Sequence, residues 1–263
     1  MSAGERLQVL LLPILSVAAT FALWHLLVRG LAIEPSVLPA PADVLDAFKL
    51  GLIEGRLYPH IWFTLRATLI GLAIGCGAGI LLGTLLAEFR TANQFIFPVL
   101  VGLQSVPLVA IAPILIVWLG IGIASKIYMV AQICFFPTFV STAVGLTLTK
   151  PELLDLYRTF SANRWHVLFH VKLPSAANHI FGGLQIAVVQ SFIGCVVAEF
   201  IASKEGLGYT IKLLSGQLDL SMMFAAIITL SIMGAGAGLL TDLMHRRVVF
   251  WEGAARSRKT AAS

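Results

Sequence analysis

The chain reads as an all-α protein that crosses a membrane about six times, and three observations carry that reading. Of its 263 residues 58% are hydrophobic and 12% are charged, whereas an ordinary soluble domain is about 25% charged. The mean hydropathy is +0.92. The apolar residues also gather into runs of about 20, the length a helix needs to cross a bilayer core. These runs occupy residues 9–27, 67–87, 95–119, 127–148, 180–201 and 223–243. The whole of 1–263 is read as one transmembrane domain, with a cytoplasmic loop at 150–176 and a basic tail at 244–263.

The first run follows Arg6 and has the outline of a signal peptide. It is longer than a usual signal core, however, and no small-residue cleavage site follows before Arg29, so it is expected to be a retained helix. In the second, Gly71, Gly75, Gly79 and Gly83 recur every four residues and line one face. Such a face admits a neighbouring backbone closely; lining a pore is its other reading. Arg66 starts this run, placed to snorkel to the interface.

The third run holds Pro107 and Pro113, each of which removes a backbone donor. Breaks of that kind persist in a bilayer only where protein or a water-filled cavity satisfies the freed carbonyls, so this run is expected to border a pathway. Gln104 and Ser105, just before Pro107, offer polar groups either to a passing solute or to a neighbouring helix. The other intramembrane polar candidates are Gln132 in the fourth run and Gln185, Gln190, Ser191 and Glu199 in the fifth. Glu199 lies near the outer end, as a gate or as a hydrated structural group. So few ionisable groups argue against proton-coupled transport, which needs a relay of them; the driving energy has to come from outside the bilayer.

Cys76, Cys134 and Cys195 all fall within apolar runs without metal-ligand spacing and read as packing residues. No metal site or catalytic group is assigned. The chain lacks a Walker A loop, a Gly-x-Ser-x-Gly elbow and a His-Glu-x-x-His motif, so it is not read as an enzyme, nor as able to hydrolyse ATP alone.

Lys and Arg set the orientation. With the N-terminus inside, the cytoplasmic segments hold 11 of the 18 Lys and Arg residues and the outer segments hold 6, with Arg66 at an outer helix end. Both termini are therefore expected in the cytoplasm. The net charge of +5 needs no nucleic acid; a basic tail facing anionic lipid explains it.

This orientation places the stretch Asp155 to Pro174, DLYRTFSANRWHVLFHVKLP, in the cytoplasm between the fourth and fifth runs. Pro151 and Glu152 suit the first turn of a helix. Leu153, Leu156, Tyr157 and Phe160 follow at helical spacing, Ser161-Ala162-Asn163 makes a turn, Trp165, Leu168 and Phe169 resume the stripe, and Leu173-Pro174 is expected to end it. The result is a hairpin with an apolar seam and a basic face, built either to enter another protein's groove or to pack on its own membrane domain.

The same stretch resembles the cytoplasmic signature of the inner-membrane permeases of binding-protein-dependent ABC importers, type I fold: Glu-Ala-Ala, three residues, Gly, nine residues, Ile-x-Leu-Pro. Asp155-Leu156-Tyr157 stands at the Glu-Ala-Ala positions, Ser161 at the Gly, and Val171-Lys172-Leu173-Pro174 at the end. The spacing matches throughout and the Gly is replaced. VLPAPADVLDAF, SVPLVAIAPILIVWLGIGIASKI and AEFIASKEGLGYTI are similar to segments of the nitrate, sulfonate and taurine branch.

The resemblance implies a bacterial inner-membrane protein acting as a dimer, presumed identical, with two ATP-binding subunits and a periplasmic substrate-binding protein. ATP and Mg would be bound by the ATPase, with no cofactor in this chain. It also implies that residues 157–165 form a coupling helix, with Arg158, Ser161, Ala162, Asn163, Arg164 and Trp165 as core contacts. The solute implied is a sulfonate, taurine, nitrate or related organic anion, the alternatives being a pyrimidine vitamin precursor or an aromatic acid. A secondary transporter would show repeat symmetry or buried coupling charges, and a membrane enzyme a catalytic constellation; neither pattern is evident.

Overall fold

The computed structural model describes residues 3–250; Arg256, Arg258 and Lys259 of the expected basic tail lie outside them. The described chain is helical, in chain order α1 (Ala3–Gly30), α2 (Pro41–Ile53), α3 (Tyr58–Glu88), α4 (Arg90–Gln104), α5 (Leu108–Leu119), α6 (Ile123–Thr147), α7 (Pro151–Thr159), α8 (Arg164–Val167), α9 (Leu173–Ile201), α10 (Leu207–Gln217) and α11 (Leu220–Val248). A π-helical turn, Leu168–Lys172, joins α8 to α9.

Among the described residues, four helical stretches are long and apolar enough to cross a membrane, Tyr58–Glu88, Ile123–Thr147, Arg164–Ile201 and Leu220–Val248, or five if the bent α4–α5 pair is one span. The first run lies within the 28-residue α1. The third run is not one straight helix: it spans α4 and α5, which meet at 91°. The elbow at Ser105-Val106-Pro107 has a simple cause. Pro107 has no N–H to continue the α4 ladder and sits in extended backbone as the N-cap of α5, while Pro113 is carried inside α5.

The centre of the fold is α6, packed between α3 and α9. Gly71, Gly75, Gly79 and Gly83 are all buried and face α6. A Cβ on Gly71 would stand 2.8 Å from the Ile127 carbonyl oxygen, one on Gly79 2.6 Å from that of Phe135, and one on Gly83 2.7 Å from that of Phe139. At Gly75 the obstacle is the Ala131 backbone itself. Gly145 and Gly183 repeat the device between α6 and α9, against Ala176 and Ser141. Beside these seams Ala67, Cys76, Val130, Cys134, Ala187 and Cys195 form a buried apolar core.

Shorter elements close the ends. Leu57, Leu207, Ile211 and Ala226 bring α10 and the start of α3 onto α11, and Leu214, Met222 and Ala225 pack with Ala47 and Phe48 of α2. Asp219 caps α11 by accepting the Met222 N–H at 3.1 Å. Ala112 and Leu115 hold α5 against Met129 and Ala198. Large apolar side chains such as Leu239, Leu240 and Leu243 on α11 are exposed, as expected of helices that meet lipid or another membrane chain rather than water.

Candidate functional site

The hairpin expected in the cytoplasm is built on local sequence signals. α7 begins at Pro151, whose missing N–H costs nothing in a first turn, and ends at Thr159, whose hydroxyl donates back to the Asp155 carbonyl at 2.9 Å. The chain reverses through 160–163, where the Ala162 N–H donates to the Tyr157 carbonyl at 3.1 Å. Ser161 makes the reversal with φ of 52°, the left-handed region that costs an L-residue about 1–2 kcal/mol. It therefore adopts the conformation that the replaced glycine would accept without strain. Ser161→Gly is expected to stabilise the turn by about 0.5–1 kcal/mol, the relief of strain being partly offset by the freer unfolded chain. Slower hydrogen exchange over 157–164 would be the readout, and Ser161→Val should do the opposite.

Asn163 occupies the N-cap of α8. Beyond it lies a difference from the sequence expectation: Leu173-Pro174 does not end the helix. The second arm runs from Arg164 to Ile201 without interruption, because the wide turn at Leu168–Lys172 absorbs the bond and the space that Pro174 denies to an α-helical ladder. The hairpin's return arm is thus the extended foot of the spanning helix α9.

The tip presents apolar surface. Phe160 is 76% exposed, Phe169 59% and Trp165 54%, with the Trp165 and Phe169 rings stacked at 6.4 Å. Leu156, Tyr157, Phe160, Ala162, Asn163 and His166 line an open hollow of about 610 Å³. Asp155, Asn163 and Arg164 are exposed, Tyr157, Ala162, Leu173 and Pro174 half-buried, and Arg158 lies on the last turns of α7. Behind the tip, Leu168 packs with Leu146 of α6, Ala176 of α9 and Ala87 of α3. Lys172 donates to Glu88 Oε1 at 2.5 Å. That pair joins residues 84 apart, and sequence reading missed it.

The polar residues proposed for the pathway are dispersed. Gln104 and Ser105 are exposed at the α4–α5 elbow, with the Ser105 hydroxyl donating to the Val101 carbonyl at 3.1 Å. Gln132 is half-buried on α6, its Oε1 buried and without a hydrogen-bond partner among the described residues. Gln185 and Gln190 are half-buried on α9, and at 3.6 residues per turn their directions differ by about 140°.

Glu199 is placed differently from an open mouth. It is 1% exposed and its carboxylate accepts from Thr64 Oγ1 at 2.8 Å and from the Gly208 N–H at 2.6 Å. Thr64 in turn accepts the Leu207 N–H at 2.8 Å, and His60 Nδ1 accepts that of Gly206 at 3.1 Å. Gly206, at φ 106°, leaves no room for a Cβ beside the carboxylate. Lys126, one of the six Lys and Arg residues that the orientation count assigns to the outer segments, is 1% exposed too; its ammonium donates to the carbonyls of Ile121, at 2.5 Å, and Ala202. Together these groups pin the 202–208 segment onto the ends of α3, α6 and α9.

Residues 77–250 match the family model described as the binding-protein-dependent transport system inner membrane component. The riboflavin transport system permease protein RibX of Chloroflexus aurantiacus is 34% identical over 216 residues, covering 82% of this chain and 81% of that protein. The formylaminopyrimidine transport permease protein ThiX of Halalkalibacterium halodurans is 32% identical, covering 84% and 88%. A Bacillus subtilis protein named for aliphatic sulfonates transport, SsuC, is 28% identical, covering 92% and 86%. Among solved structures, an inward-facing form of the MetNI methionine ABC transporter superposes with a TM-score of 0.64 at 18% identity, covering 73% of this chain and 95% of that one.

The chain belongs to the family of binding-protein-dependent inner-membrane permeases, in the type I ABC importer fold. It is a multi-pass protein of the inner membrane and a non-catalytic subunit class.

Proposed function

We propose that two copies of this chain form the membrane passage of an ATP-driven importer, with the 150–176 hairpin as the element that engages the ATPase. The observation that carries this reading is the exposed aromatic tip, Phe160, Trp165 and Phe169, held on a hairpin whose second arm is continuous with a spanning helix. Exposed rings on a helical support are the kind of anchor that fills a partner's groove. Two ATP-binding subunits would bind ATP and Mg, and their closure would push the hairpins and reorient the passage. A periplasmic binding protein would supply the solute. Gln104, Ser105, Gln132, Gln185 and Gln190 would offer a polar route without forming one tight site, leaving most of the selection to the binding protein.

A sulfonate, taurine, nitrate or related organic anion is the solute class suggested by the outer and third-helix segments. A flat heterocycle is the second reading, favoured by the higher identities to the relatives named for riboflavin and formylaminopyrimidine transport. Co-purification with the ATPase, followed by hydrolysis assays in lipid with the binding protein and each solute, tests both. Stimulation by one class names the cargo.

Reversing Arg158 and Arg164 to Glu is expected to lower solute-stimulated hydrolysis and transport about tenfold or more, since like charges set against a complementary surface cost several kcal/mol. Unchanged transport by a folded double variant would move the ATPase contact elsewhere.

A further inference from the structure

We infer that the Glu88–Lys172 ion pair is a positioning strut that carries movement of the hairpin into α3. The inference rests on the coupling reading above. The hairpin is tied to two of the three central helices by the chain itself: α7 follows α6 after residues 148–150, and α8 runs on through the π turn into α9. No chain connection ties it to α3. The polar link that crosses this gap joins Lys172, the last residue of the π turn, to Glu88, the last residue of α3, at 2.5 Å.

The surroundings suit a strut better than a surface ion pair. Side-chain exposures are 20% for Lys172 and 17% for Glu88, against 75% and 38% for the Arg246–Asp242 pair on α11. Solvent screening is correspondingly weaker. The pair also lies at the edge of a 270 Å³ cleft lined by Leu154, Ala162, Arg164 and Val167, which reaches the coupling turn itself. Apolar contact among Ala87, Leu146, Leu168 and Ala176 sits beside it. The π turn is the yielding point, since it departs from the α-helical ladder where the hairpin meets α9. Without the pair, hairpin motion can be taken up at this turn; with it, α3 has to follow, and the glycine face of α3 delivers the motion to α6.

The test uses the assembled importer in lipid, comparing Glu88→Gln, Lys172→Met and the swap Glu88→Lys with Lys172→Glu. Each single variant should keep its ATPase bound and its hydrolysis running while solute moved per ATP falls about threefold to tenfold, within the range over which residues along a coupling route alter coupling. The swap should recover most of that ratio. A merely structural pair would lower yield and melting temperature and leave the ratio unchanged, and that result overturns the inference. If the unaltered protein fails to bind an ATPase at all, it is the coupling reading that has failed, and the strut fails with it.

Discussion

Gly75→Leu is expected to abolish recovery of folded protein, while Gly77→Leu two residues away leaves it near normal. Both residues lie in the middle of α3, both exchange the poorest non-proline helix former for a good one, and both add the same apolar volume. They differ in what the added carbons meet. At Gly75 a Cβ would overlap the carbonyl, carbonyl carbon and Cα of Ala131 on α6, and at Gly77 there is open space within 4 Å. Overpacking a well-packed core costs about 1–3 kcal/mol where side chains can shift. Here the obstacle is backbone held in the central helix, so α3 and α6 have to separate. That separation would open the seams at Gly71, Gly79 and Gly83 as well, and a loss beyond about 3 kcal/mol follows, a large part of a typical protein's marginal stability. Size-exclusion profiles and melting temperatures in detergent measure it. Equal behaviour of the two variants would mean that the glycine face is not a packing seam.

That face was legible because a period of four on a helix needs no knowledge of the partner. The hairpin was legible for the same reason: Pro151, the 161–163 turn and the apolar stripe are local signals. The α4–α5 elbow was only half visible. A hydropathy window over 95–119 averages across Ser105-Val106-Pro107, and a proline tells that a ladder breaks without telling that the two halves meet at 91°. Pro174 misled in the opposite direction, since a π turn just before it takes up the bond and the space that a proline denies to an α-helical ladder. Ser161 showed the limit of residue preference, because the fold imposes a left-handed turn on a serine. The two polar groupings at the ends of the core left almost no trace. Glu88 meets Lys172 across 84 residues and Thr64 meets Glu199 across 135, and no local pattern marks either partner.

Glu199→Gln is expected to loosen the outer segment by about 2 kcal/mol, the range for leaving one buried donor or acceptor unmatched. The carboxylate takes the Thr64 hydroxyl and, at 3.5 Å, the Cys195 thiol on one oxygen and the Gly208 N–H on the other. An amide has one oxygen. Turned one way its NH₂ faces the Gly208 N–H, donor against donor. Turned the other way it faces Thr64, which already accepts from Leu207 and would have its own hydroxyl proton displaced. Either way the start of α10 loses one fastening, to α9 through Gly208 or to α3 through Thr64. Lys204 is exposed in the short segment so fastened, which makes tryptic cleavage there a local gauge. If cleavage proceeds through opening of the segment, a 2 kcal/mol loss corresponds to about a 30-fold faster rate. The same variant decides between the two roles open to Glu199 from the sequence. Faster cleavage with solute transport still dependent on ATP assigns it to holding the outer loop. Unchanged cleavage and melting with altered transport would instead make Glu199 a group that the passing solute or the moving gate encounters.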